Sequence, residues 1–260
     1  MSNLATVEKI FILDGGEAHV DDGSIYSPGL NVGVPMTLSC NAYLVRHREG
    51  WFLWDTGTQD DLVLEPVGRI IAHGIRGTVR RTLGAQLAEL GVAPDQIGTI
   101  AISHAHYDHV GNCRLFRKAK WIAQKAEYEA MFGANPEEFG YSPELYETMR
   151  QNEVELVEGD HDVFGDGAVR LIFTPGHTLG HCSLLIRLPE TGSVLLSGDV
   201  AHNRENFRLR RVPAFNADKS ASVASMEKVD ALLRAERATM WINHDTAESK
   251  RLPHAPAAIL

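Results

Sequence analysis

The chain is poor in cysteine. Cys40, Cys113 and Cys182 are the only three in 260 residues, with no CxxC pair among them. A set that is odd in number and widely spaced gives no disulfide framework, and it points to a reducing, cytoplasmic setting. Positive charge is also in deficit: 25 Lys and Arg stand against 34 Asp and Glu, a formal charge of −9. Non-specific binding to nucleic acid relies on clustered cations, so no nucleic-acid partner is expected. No apolar run approaches the roughly 18 residues of a transmembrane helix, so no membrane partner is expected either. The opening MSNLATVEKIFILDGG has no basic stretch leading an apolar one, and no signal peptide is expected. What remains is the composition of a folded globular protein, 44% hydrophobic and 23% charged. One count is high. There are 12 histidines.

Apolar, β-branched stretches bounded by Gly and polar turns predict strands at Val7–Leu13, Leu38–Val45, Trp51–Trp54, Thr99–Ser103, Phe116–Ala123 and Val154–Val157. A second group follows at Val169–Thr174, Ser183–Leu188, Val194–Ser197 and Met240–Ile242. Helical spacing of apolar residues predicts helices over 80–90, Ala126–Phe132, Pro143–Asn152 and Ser220–Arg234. With no repeat and no low-complexity linker, residues 1–260 read as one domain. Two strand-rich halves, each followed by helix, suggest two packed sheets with helices outside. Asp21–Met36 and Thr58–Arg76 fit no element and read as long loops. Their scattered apolar residues suit a lid over a pocket, and the second would equally suit a contact with another subunit. Either a monomer or a homodimer fits.

The histidines decide the function. Residues 103–109 read Ser-His-Ala-His-Tyr-Asp-His, which places His104, His106, Asp108 and His109 directly after an apolar strand. Neutral imidazoles and carboxylates are ligands for zinc and for other borderline divalent ions, with iron, cobalt and manganese also accepted. Further apolar strands each lead to another residue of this type. Thr174-Pro175-Gly176 precedes His177, Ser197-Gly198 precedes Asp199, and Ile242-Asn243 precedes His244. Five imidazoles and two carboxylates are too many for one tetrahedral ion but suit two divalent ions that share a carboxylate. His19, His47, His73, His161 and His254 have no motif around them and are expected at the surface. Cys113 and Cys182 read as small buried thiols.

HxHxDH, then a lone His after Thr-Pro-Gly, a Gly-Asp and a late His, resembles the motif series of the metallo-β-lactamase superfamily. The resemblance runs from Asp55-Thr56-Gly57 to His244. It implies an α/β fold of the αβ/βα sandwich type, two mixed sheets packed face to face with helices on the outer faces. It also implies that His104, His106 and His177 hold one metal, that Asp108, His109 and His244 hold the other, and that Asp199 bridges them. Asp55 would orient a ligating imidazole, and His181 would not be a ligand. The absence of Cys from these positions points away from lactamases that use a thiolate ligand.

Within the superfamily the chain is similar to the N-acyl homoserine lactone lactonases. The likeness lies in SHAHYDHVG (Ser103–Gly111), TPGHTLGH (Thr174–His181), Glu205-Asn206-Phe207, Val212-Pro213-Ala214-Phe215 and Ser225-Met226. Leu13-Asp14-Gly15-Gly16 and Asn41-Ala42-Tyr43-Leu44-Val45 also fit. The resemblance implies opening of a small-molecule lactone by a hydroxide held between two metals, with Asp108 carrying the proton to the leaving oxygen. One departure stands out. Those lactonases carry a tyrosine three residues past the bridging Asp, and this chain has His202. His202 is expected beside the metals, donating a hydrogen bond to the substrate carbonyl. The alternatives are hydrolysis of another lactone, ester or thioester, as in glyoxalase II, or of a β-lactam. The glutathione thioesterases bind an anionic substrate with basic residues near the C-terminus, where this chain has Lys250 and Arg251.

Overall fold

A computed structural model of the chain describes residues 6–72 and 74–260. His73 lies outside the described residues. The N-terminal half supplies strands β1 (Val7–Leu13), β2 (Glu17–Val20), β3 (Met36–Ser39), β4 (Ala42–His47), β5 (Gly50–Trp54), β6 (Arg69–Ala72), β7 (Ile75–Thr78), β8 (Ile97–Ala101), β9 (Lys120–Gln124) and β10 (Val154–Val157). The C-terminal half supplies β11 (His161–Asp162), β12 (Val169–Phe173), β13 (Cys182–Leu188), β14 (Gly192–Leu196) and β15 (Thr239–Trp241). Between them lie helices α1 (Leu83–Glu89), α2 (Tyr107–Val110), α3 (Lys125–Met131), α4 (Pro143–Tyr146), α5 (Arg204–Leu209), α6 (Lys219–Glu236) and α7 (Thr246–Ser249).

Two sheets, ordered β1-β4-β5-β8-β9-β10 and β11-β12-β13-β14-β15, are packed face to face. Alternate residues make the seam: Ile10, Ile12, Tyr43, Val45, Phe52 and Trp54 meet Leu171, Leu184, Ile186, Val194 and Leu196. Each such side chain contributes roughly 1.5–3 kcal/mol by leaving water. The intervening residues are apolar too, because the outer faces are also covered. Leu185 and Leu195 pack against Met226 and Val229 of α6. Leu44, Leu53 and Ile100 share a core with Leu83 and Leu87 of α1. Strands buried on both faces read as continuous apolar runs, and the layers form the αβ/βα sandwich. Thr82 and Asp218 cap α1 and α6, their side chains accepting from Ala85 N and Ala221 N.

The structure departs from the sequence expectations in three places. Leu38–Val45 is two strands in different sheets, broken at Cys40-Asn41. A third sheet, β3-β2-β7-β6, takes up parts of both segments read as loops. Its β2–β7 pairing joins Glu17 to Thr78, a separation that no local pattern displays. His47 is fully buried, stacked on Phe164 at 3.9 Å and bonded to Asp166 at 3.0 Å. Both partners lie more than a hundred residues away in sequence. Cys113 and Cys182 are buried free thiols. Among the described residues, no helix is long and apolar enough to cross a membrane.

Candidate metal centre

The carboxyl ends of β5 and β8, which run parallel, and of β14 and β15, also parallel, open at one edge of the sandwich. Such edges collect side chains from several strands without any of them having to leave its sheet. Two glycines aim the C-terminal ligand-type residues. Gly176, before His177, has φ of +132°, and a Cβ there would stand 2.3 Å from Ser222 N. Gly198, before Asp199, has φ of +52°, and a Cβ there would stand 2.6 Å from His181 Nε2. Neither site accepts a side chain without moving its loop.

Three imidazoles meet at one point. His104 Nε2, His106 Nδ1 and His177 Nε2 lie 2.8, 3.1 and 3.0 Å from one another. Their remaining ring nitrogens fix the tautomers. His106 Nε2 donates to Phe139 O (3.0 Å), and His177 Nδ1 donates to Asn216 Oδ1 (2.9 Å). His104 Nδ1 donates to Ser103 Oγ (3.0 Å), which itself donates to Asp55 Oδ2. Each ring proton therefore points outward, and three bare lone pairs face one another. That arrangement is repulsive in a protein alone and suits a cation at its centre. Burial holds all three imidazoles below their ordinary pKa, in the neutral form that binds a metal.

A second group adjoins the first. His109 donates Nδ1–H to Asp55 Oδ2 (2.8 Å), and His244 donates Nδ1–H to Ser39 O (2.8 Å). Both rings turn Nε2 toward Asp199 Oδ1, at 3.2 and 2.9 Å. Asp108 is 3.8 Å from His109 Nε2 through one oxygen and 3.6 Å from His244 Nε2 through the other. Asp199 turns its Oδ2 to the first group, 3.2 Å from His177 Nε2. One carboxylate thus faces both groups. His109 Nε2 and Asp199 Oδ1 are buried atoms without a hydrogen-bond partner. Burial opposes a proton on His109, but Asp55, Asp199 and Asp108 raise it to about 10, a proton that a bound cation would displace.

The charge balance is one-sided. Asp55, Asp108, Glu127 and Asp199 are buried, whereas no lysine or arginine is buried among the described residues. Buried anions need compensation: Asp55 and Glu127 are met by hydrogen-bond donors, whereas Asp108 and Asp199 face the imidazole nitrogens, where a cation would also meet them.

Neighbouring residues have distinct places. His181 donates Nδ1–H to Thr174 O (2.9 Å) and accepts from Asp199 N at 2.8 Å, so it orients Asp199. His202 turns Nε2 to Asp199 Oδ2 at 3.2 Å and stacks on His244. Its Nδ1 is buried without a hydrogen-bond partner among the described residues. Sequence reasoning missed Tyr26, Cys40 and Asn216, none of which belongs to the histidine and aspartate motifs, although Cys40 and Asn216 adjoin two of the quoted stretches. The Tyr26 ring leans on His202 (4.6 Å) and on Phe215 (5.6 Å). Burial, with Asp108 and Asp199 nearby, pushes its phenol well above the ordinary range, which keeps it a donor. Cys40 Sγ lies 3.6 Å from Asp108 Oδ2, and burial pushes the thiol up to about 12.

Above these residues is a cleft of about 550 Å³. Its floor is His106, Asp108, His177, Asp199, His202 and His244, and its walls include Ile25, Tyr26, Ile75, Phe139, Leu179 and Phe215. The two segments read as lids each contribute to these walls. Lys250 lines a separate hollow.

This fold, with a histidine and aspartate cluster at the edge of two packed sheets, defines a metal-dependent hydrolase class. The chain belongs to the metallo-beta-lactamase superfamily, whose sequence profile matches residues 36–239. It is 30% identical over 251 residues to N-acyl homoserine lactonase AiiA of Bacillus thuringiensis subsp. kurstaki, covering 94% of this chain and 96% of that one. It is also 30% identical over 224 residues to N-acyl homoserine lactonase AttM of Rhizobium johnstonii, covering 82% and 84%. A solved N-acyl homoserine lactone hydrolase, with the product N-hexanoyl-L-homoserine at its catalytic metal center, superposes with a TM-score of 0.85. The identity is 28%, covering 98% of this chain and 100% of that one.

Proposed function

We propose that this protein hydrolyses N-acyl homoserine lactones with two divalent ions, zinc being the first choice for this donor set. The observation that carries the proposal is the set of three imidazole nitrogens that face one another with their ring protons fixed outward, beside the buried carboxylates of Asp108 and Asp199. In this reading His104, His106 and His177 hold one ion, and Asp108, His109 and His244 hold the other. Asp199 is shared between them. When bound, such a pair supplies a Lewis acid for a carbonyl oxygen and acidifies water to near neutrality.

The chain's own residues do the rest. Asp108, on the cleft floor, accepts the water's proton and delivers it to the ring oxygen as the C–O bond breaks. Tyr26, protonated in the cleft wall, donates to the substrate carbonyl. His202 holds Asp199 by its N–H and so acts as a positioning residue. The apolar wall of Ile25, Ile75, Leu179 and Phe215 receives the acyl chain and excludes water from it.

A panel of N-acyl homoserine lactones, aryl esters, thioesters and a β-lactam, assayed on zinc-loaded protein, tests this reading. The lactones are expected to give the highest kcat/KM. A thioester or β-lactam turned over faster than every lactone would overturn it.

A further inference from the structure

Glu127, near the start of α3, is buried and has no lysine or arginine partner among the described residues. Its Oε1 accepts from Ala105 N (2.9 Å) and from the Tyr141 hydroxyl (2.7 Å). Its Oε2 accepts from the Thr178 hydroxyl (2.7 Å) and from Gly180 N (2.9 Å). Ala105 sits between His104 and His106, and Thr178 directly follows His177. Tyr141 lies two residues past Phe139, whose carbonyl fixes the His106 tautomer. The approach is close enough that a Cβ on Gly180 would stand 2.3 Å from Glu127 N and 2.4 Å from Glu127 Cβ.

We infer that Glu127 is the positioning residue that sets the three-histidine half of the centre, clamping the 104–106 and 177–180 loops at a fixed separation. The inference rests on the metal reading above. Its physical basis is the pair of backbone N–H groups, one on each carboxylate oxygen, which cannot rotate away. A glutamine offers only one oxygen, so its NH2 must face one of those two N–H groups in either orientation. Whichever loop is left without an acceptor moves, and the triangle of imidazole nitrogens opens. The hydroxyls of Tyr141 and Thr178 can turn, so each matters less.

The test is chelator competition for zinc on the whole protein, read as two dissociation steps, with no activity assay involved. In Glu127→Gln, one ion is expected to weaken by ~10–100-fold, as for other groups that orient metal-binding side chains. The second ion should keep its wild-type affinity. Thr178→Val, which removes one contact on the His177 side, should weaken the same ion by a smaller factor. It carries the test if Glu127→Gln does not fold. Tyr146→Phe is the control. It removes a buried phenol bonded to Met131 O at the other end of α3 and touches neither loop. Both ions should be retained there. Wild-type affinities for both ions in Glu127→Gln and Thr178→Val would overturn the clamp alone, as would an equal loss in Tyr146→Phe. A wild-type protein that binds no metal would overturn the functional reading with it.

Discussion

Asp55→Asn changes one atom and tests how the other half of the site is held. Asp55 is buried in a left-handed conformation (φ 58°), which asparagine also tolerates, so the backbone is not the variable. The carboxylate accepts Ser103 N at 2.6 Å on one oxygen, and Ser103 Oγ (3.0 Å) and His109 Nδ1 (2.8 Å) on the other. Asparagine has a single acceptor oxygen. If that oxygen stays on Ser103 N, the NH2 faces His109 Nδ1, and the imidazole must shed that proton and carry it on Nε2. A protonated Nε2 cannot bind a metal. If the amide flips, Ser103 N–H is left buried and unpaired, at ~1–3 kcal/mol. The expected outcome is loss of ~10–100-fold in affinity for the ion on the His109 half, with a smaller loss on the other half, where Ser103 Oγ links Asp55 to His104 Nδ1. Chelator competition reads the affinity. Thermal melting of metal-free protein reads the stability, at about 2–4 °C per kcal/mol. An Asp55→Asn protein that holds both ions at wild-type affinity would refute the reasoning about His109.

Asp108→Asn should lower lactone turnover by at least ~10²-fold; near-normal turnover in a variant holding two ions would remove Asp108 from proton transfer. Tyr26→Phe should lower kcat by ~10²-fold without changing metal content, as when a single donor to a developing oxyanion is removed. Equal rates would take the phenol out of the mechanism. His202→Phe loses the bond to Asp199, worth ~1.5–3 kcal/mol for a charged acceptor, and should lower turnover about tenfold or more. Unchanged turnover would leave His202 a packing residue. Burial, against the pull of Asp199, lowers the His181 pKa from 6.5 to about 4. The unfolded chain therefore binds this proton first as pH falls. The contribution of His181 is full above pH 6.5, declines between 6.5 and about 4, and is constant below. In metal-free protein, wild type minus His181→Gln should show that slope in thermal stability; a difference independent of pH would contradict it.

The strand-end residues were legible because the chain reaches the site edge directly after short apolar runs. Ile100-Ala101-Ile102 leads to His104, and Leu195-Leu196 leads to Asp199, so the order of residue types displays the geometry. The layers were legible for a similar reason, since strands apolar on both faces demand cover on both. What the sequence hid depends on long-range contact. Nothing near Tyr26 signals that its ring will lie against His202, and nothing near Glu127 shows its four donors. The third sheet needs β2 to meet β7 across a long intervening stretch. His47 has polar, basic neighbours in sequence, yet its burial is set by Phe164 and Asp166. His202 lies beside the histidine and aspartate cluster. Nothing in the sequence shows that its Nε2 turns to Asp199 Oδ2 at 3.2 Å.

In the proposed reading, lactone opening requires both halves of this site to be filled. Titrating chelator-stripped protein with zinc, while following ring opening of an N-acyl homoserine lactone, tests it most directly. The stripped protein should show no turnover, and the rate should rise until two equivalents are bound and then level. A rate that saturates at one equivalent, or full turnover without metal, would contradict it.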